Sequence, residues 1–126
     1  KQTLKALGIG AGTLGIPGVF ASVSRFVRIA YIRTHMPKIE GDIHSITQFF
    51  HMLDYVKMVK GGVLTDDGLE DGTTYSSCME KEKGVYYYKT YENNRINAID
   101  MHKEQVEGTN LKIFKYLTNQ DFNYQN

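Results

Sequence analysis

Arg25 stands where helix stability alone would not put an arginine. The segment Gly8 to Arg28, GIGAGTLGIPGVFASVSRFVR, runs from a glycine-rich approach through Ile16-Pro17-Gly18 into a Ser-rich helix entry. Backbone N–H groups at a helix start carry partial positive charge, so a guanidinium in that first turn opposes the helix dipole. Ile29 and Ile32 follow Arg25 at helical spacing, which makes its stripe otherwise apolar, whereas Arg28 and Arg33 lie off it. A half-buried guanidinium persists only where carboxylates or carbonyls satisfy its fixed fork of donors. Arg25 is therefore either half of a structural ion pair or a site cation, because perturbed charges mark both.

The other candidate chemistry is weaker. Gly10, Gly12 and Gly15 spell GxGxxG, the spacing that lets a pyrophosphate approach the backbone at a helix N-terminus. That motif should follow a buried strand and open directly into a helix. LKALGIG is a poor strand, and Ile16-Pro17-Gly18 blocks a helix after Gly15, so these glycines read as turn and close-approach residues. His35, His44, His51 and His102 include no pair three or four residues apart, and no metal site is expected. Cys78 falls inside a strand-like run without an identifiable partner to lower its pKa, and reads as a small packed thiol.

The elements that must position Arg25 follow from periodicity. Val23, Phe26, Val27, Ala30 and Tyr31 trace one face of a first helix, with Ser22 or Ser24 as N-cap and Pro37 ending it. A second helix is expected from Asp42 to about Lys60, with Ile43, Ile46, Phe50 and Leu53 on its apolar stripe, and Val56 or Lys57 continuing it. Gly61-Gly62 would stop it, and His44, Gln48, His51 and Tyr55 would line its other side. After the turn-rich TDDGLEDG come three strand-like runs, TTYSSCM, GVYYYKTY and RINAIDM, which predict an antiparallel meander. Val85, Tyr87 and Tyr91 point to one face of the middle run and Tyr86, Tyr88 and Thr90 to the other, so both faces need cover. A short helix from His102 to Glu107 and a last strand from Leu111 to Tyr116 are expected to complete an α+β unit, two helices on an antiparallel sheet.

Length and charge set the outer limits. The chain has 126 residues, one domain's worth, and 15 Lys and Arg against 14 Asp and Glu give a net charge of +1 with no basic block. Nucleic acid is not an expected partner. One cysteine favours a reducing compartment, and no leader or bilayer-length apolar run is read, so a cytoplasmic location without membrane contact is expected. The start at Lys1, followed by QTLKALGIG, reads as the interior of a longer protein.

Taken in order, LGIPG, SxSRFVRxAY, ITQFFHML, VKGG, TxYSSC and GVYYYKTYENNRI resemble the C-terminal part of the choloylglycine hydrolase family, which includes bile salt hydrolases and penicillin V acylases. The resemblance covers nearly the whole chain. It implies that residues 1–126 are the C-terminal part of one N-terminal-nucleophile hydrolase domain, a four-layer αββα sandwich whose second sheet would meet the free face of the meander. It implies a hydrolase of linear amide C–N bonds, with conjugated bile salts as substrate and penicillin V as the alternative. It also implies a bacterial homo-oligomer, a tetramer, with no cofactor. In that family the nucleophile is a processed N-terminal cysteine whose own amine acts as base. Position 1 here is Lys, so the nucleophile would lie outside this chain and the chain alone would be inactive. Only the arginine of SRF carries over, onto Arg25, as a catalytic group beside the nucleophile; Cys78 matches a strand cysteine instead. Val19 occupies a position that is usually acidic in the family, which bears on the loop before Arg25. A non-catalytic structural unit, stable only with its missing half, is the alternative of another class.

Overall fold

A computed structural model describes residues 15–105 and 107–126. Helix α1 spans Ser22–His35 and α2 spans Asp42–Asp54. A two-stranded hairpin, β1 (Val63–Leu64) and β2 (Glu70–Asp71), leads into a three-stranded antiparallel sheet of β3 (Tyr75–Glu80), β4 (Val85–Thr90) and β5 (Asn97–Asp100) in sequential order. The meander is the one expected. A single 3₁₀ turn, Met101–Lys103, follows it.

Several boundaries differ from the sequence reading, each for a local reason. The N-cap of α1 is Ala21, without a side-chain cap, rather than either serine. Its C-terminal end agrees, because Pro37 disfavours helical backbone at Met36, which is extended. Helix α2 stops at Asp54, short of Lys60, and its continuation becomes a turn in which Val56 and Lys57 donate backward to Leu53 and Asp54. The segment TDDGLEDG supplies both a turn and the strand β2, with Thr65 N donating to Leu69 O at 2.9 Å. No strand forms from Leu111 to Tyr116, and the expected helix from His102 shrinks to the 3₁₀ turn. The β3–β4 turn ends on Gly84, whose φ of +60° favours glycine and whose 2.9 Å clearance to the His102 ring would require that ring to shift for any side chain.

Register sorts the sheet into two faces. Ser76, Cys78 and Glu80 share one with Lys89, Tyr87 and Val85, and α2 packs there. Lys89, 8% exposed, places Nζ 2.7 Å from both Asp54 carboxylate oxygens and over the Phe50 ring at 5.5 Å. Phe50, itself 2% exposed, anchors a small apolar core with Met52 and Met58. The opposite face carries Tyr75, Met79, Tyr86 and Tyr88, with the last two rings stacked at 6.0 Å. Residues 111–126 cross that side as a strap without secondary structure. Fully buried Thr90 donates to Leu117 O at 2.7 Å, and buried Asn93 donates to Asn119 O at 2.6 Å. The Tyr116 hydroxyl lies 2.9 Å from Thr74 O and 3.0 Å from a Glu92 carboxylate oxygen.

The face of α1 expected to be buried is open instead. Val23 and Phe26 are 74% and 70% exposed, whereas Ser24 and Arg28 on another face are buried. On α2, Ile43 is likewise exposed although Phe50 on the same stripe is not.

Two measurements test this frame. Asp54→Ala leaves the Lys89 ammonium in its buried position without a counter-charge, and should cost about 2 kcal/mol in urea unfolding, less than a fully buried pair because the carboxylate is partly in water. Lys89→Met added to Asp54→Ala should return part of that loss. The Glu92 carboxyl is held below its usual value by a backbone hydrogen bond at its own residue, then by Lys60 and Tyr116. A carboxylate with a depressed folded-state pKa contributes stability above the ordinary carboxylate value and loses it as pH falls through the depressed one. Hydrogen exchange in the strap should therefore accelerate as pH falls below about 4, after correction for intrinsic rates, and Glu92→Gln should flatten that dependence.

Candidate active site around the start of helix α1

The residues before α1 run without regular secondary structure from Gly15, whose φ is +86°, to Ala21 at φ −55° and ψ 146°. Helix starts are ordinarily held by a side-chain oxygen at the N-cap and by acidic residues in the first turn. Here both are absent. Arg28 holds the segment from behind: its Nη1 donates to Gly18 O at 2.7 Å and to Val19 O at 3.2 Å, and its guanidinium lies over the Phe20 ring at 5.6 Å. Arg28 is 7% exposed, and its Nε has no hydrogen-bond partner.

Arg25 sits one turn earlier. Its backbone N–H donates to Ala21 O at 3.0 Å, at the very start of the helical ladder. Its side chain is half-buried, and its Nε is buried without a partner. Among the described residues no carboxylate pairs with Arg25 or Arg28. Helix α1 contains no Asp or Glu at all. The result is a cationic helix start with donor capacity to spare beside an apolar surface of Val19, Phe20, Val23 and Phe26, all exposed. Such an arrangement can orient a carboxylate or stabilise developing negative charge.

Arg28 is the residue the periodicity missed. It lies off the apolar stripe, and its guanidinium is bonded by the returning loop. One signal was present: Ser24 and Arg28 are four apart and share a face, and the run before them offers carbonyls with no partner of their own. Val19 at the usually acidic position contributes its backbone carbonyl to Arg28 and leaves its side chain 63% exposed.

The remaining candidates fall away from this corner. Gly10 and Gly12 of the glycine motif lie outside the described residues; Gly15 is followed by irregular chain, and the helix begins only at Ser22. His35 Nδ1 lies 2.8 Å from Tyr31 O, with the two rings stacked at 4.1 Å. Among the described residues no group of His, Cys, Asp or Glu is placed to hold a metal ion. Cys78 is half-buried in β3, where burial and then the neighbouring Glu80 push its thiol pKa up. A nucleophilic cysteine needs the opposite shift.

The sequence profile of the linear amide C–N hydrolases, choloylglycine hydrolase family, matches residues 1–114. The chain belongs to that family. It is 48% identical over 125 residues to a bile salt hydrolase/transferase of Clostridium perfringens, covering 99% of this chain and 38% of the relative. A bile salt hydrolase/transferase of Lactiplantibacillus plantarum is 40% identical over 111 residues, 88% of this chain and 34% of that protein. The chain thus spans little more than a third of the length of these relatives. Among solved structures, a conjugated bile acid hydrolase from Clostridium perfringens superposes with a TM-score of 0.83 at 45% identity, over 99% of this chain and 38% of that one. Penicillin V acylase from Agrobacterium tumefaciens gives 0.59 at 24% identity over 73% of this chain and 29% of its own, a likeness of fold. The helices and antiparallel strands are the α+β class expected for part of an N-terminal-nucleophile hydrolase. No described helix is long and apolar enough to cross a membrane.

The raised pKa of Cys78 has a direct readout. Its alkylation by iodoacetamide should run several-fold slower than that of free cysteine at pH 7.5, with a rate that keeps rising above the ordinary thiol pKa. Faster labelling than free cysteine would return Cys78 to the list of nucleophiles.

Proposed function

We propose that this chain is the C-terminal part, residues 1–126, of a single-domain amidase that hydrolyses the linear C–N bond of glycine- or taurine-conjugated bile salts. The observation that carries this reading is 48% identity across 99% of the chain to a bile salt hydrolase/transferase. The catalytic thiol is supplied by an N-terminal cysteine outside this chain, and the chain alone is inactive. That thiolate attacks the amide carbonyl carbon, and the carbonyl electrons move onto oxygen, where preorganised donors hold the oxyanion. The N-terminal amine, having taken the thiol proton, passes it to the leaving nitrogen as collapse breaks the C–N bond, and glycine or taurine is released. Water then cleaves the thioester to free bile acid and restores the thiol. No cofactor takes part.

Arg25 is the proposed catalytic group of this chain. Its unpartnered Nε and half-buried position fit a cation that holds the reacting groups in place and balances negative charge at the thiolate and oxyanion. The complete protein is read as a bacterial cytoplasmic homo-oligomer, a tetramer, in which the part of the tyrosine-rich face left open by the strap, around Tyr75 and Met79, meets the second sheet of a four-layer sandwich. Light scattering on the purified parent protein reports that assembly.

Ninhydrin detection of glycine and taurine released by the complete parent protein from glycocholate and taurocholate, set beside its turnover of penicillin V, tests the substrate. Turnover of the bile salts is expected; penicillin V alone as substrate would sink the first reading and leave the amidase chemistry. Arg25→Ala should lower kcat about a hundredfold with an unchanged circular dichroism spectrum, the scale of losing one preorganised charge donor. Near-normal turnover would make Arg25 structural.

A further inference from the structure

We propose that Arg28 is a positioning residue for Arg25: it fastens the pre-helix loop back onto α1 and so fixes the first turn from which Arg25 projects. This inference rests on the catalytic reading of Arg25. The start of α1 has neither a side-chain cap nor an acidic residue, so nothing ordinary defines where the helix begins or how the chain enters it. The Arg28 guanidinium does that work by bonding two consecutive carbonyls, Gly18 O and Val19 O, and covering the next ring, Phe20.

Burial makes the contact consequential. At 7% exposure, a cation with carbonyl partners and no carboxylate is held at a desolvation cost that a lysine or methionine in the same place would settle differently. The geometry also connects it to Arg25. The clasped loop ends at Ala21, and Ala21 O accepts the backbone N–H of Arg25 itself. Two arginines three residues apart on a helix repel each other, and the carbonyl dipoles gathered by Arg28 offset part of that repulsion. If the loop is released, the first turn frays and the Arg25 side chain loses its fixed origin. A displacement of about 1 Å at a catalytic group can cost up to a hundredfold in rate.

The test uses the complete parent enzyme with Arg28→Met, which keeps an apolar stem without donors, and Arg28→Lys, which keeps the charge and can reach one carbonyl. Each is made alone and on Arg25→Lys. Arg28→Met should lower kcat about tenfold while KM stays within about twofold, and Arg28→Lys should recover much of the loss. On the Arg25→Lys background, Arg28→Met should add less than about twofold, because both changes act through one group. Hydrogen exchange in a peptide spanning residues 18–26 should quicken in Arg28→Met while β3 and β4 stay protected. Additive losses, or a kcat within about twofold of the parent in Arg28→Met, would overturn the proposal. So would loss of protection throughout the chain in both Arg28 variants, which would make the residue a general support of the fold. A parent enzyme that hydrolyses no amide would sink the amidase reading instead, and unchanged exchange at residues 18–26 would then overturn the clasp separately.

Discussion

The ion pair between Lys89 and Asp54 ties helix α2 to the sheet. An ammonium buried on the sheet face has one carboxylate within reach among the described residues, and that carboxylate terminates α2. Because the pair is bidentate at 2.7 Å and backed by the Phe50 ring, it sets both where α2 ends against β4 and which face of the sheet the helix covers. The apolar core beneath it is small, with Phe50, Met52 and Met58 as its buried hydrophobic members. Polar clasps therefore carry an unusual share of the organisation.

The same device recurs at two other places. Thr90 and Asn93, both buried, hold the strap by its backbone carbonyls, so a segment without strand pairing still has a defined path over the tyrosine face. At the opposite end, Arg28 holds the approach to α1 by backbone carbonyls too. In each case a side chain satisfies irregular backbone that no ladder serves, which is how buried loops meet the requirement that polar groups be paired. The proposed function depends on the last of these clasps, since Arg25 stands on the turn that it defines.

The surface left open by the fold is coherent with this arrangement. Val23 and Phe26 beside Arg25, Ile43 on α2, and Tyr75 and Met79 on the sheet are exposed, and the chain spans about 38% of its Clostridium perfringens relative. Periodicity identified Val23, Phe26 and Ile43 correctly as members of apolar helix stripes. It could not say which faces the described residues would cover, because burial depends on which surfaces meet and not on the pattern within one element.

The sequence by itself determined the two helices, the three-stranded meander with its alternating tyrosine faces, the stop at Pro37 and the family to which the motifs belong. Those features are written in local rules: spacing at 3.6 or 2 residues, turn chemistry, and motif order. Tertiary structure decided the early end of α2, the small β1–β2 hairpin, the unpaired strap in place of a last strand, and above all the burial of Arg28 in preference to the apolar stripe beside it. Three of these rest on a partner outside the element concerned, Lys89 for Asp54, Thr90 for Leu117 and Arg28 for Gly18, whereas the hairpin closes locally by pairing Val63 with Asp71 and Leu64 with Glu70. A side chain's neighbours along the chain cannot announce a carbonyl that arrives only when the chain folds back.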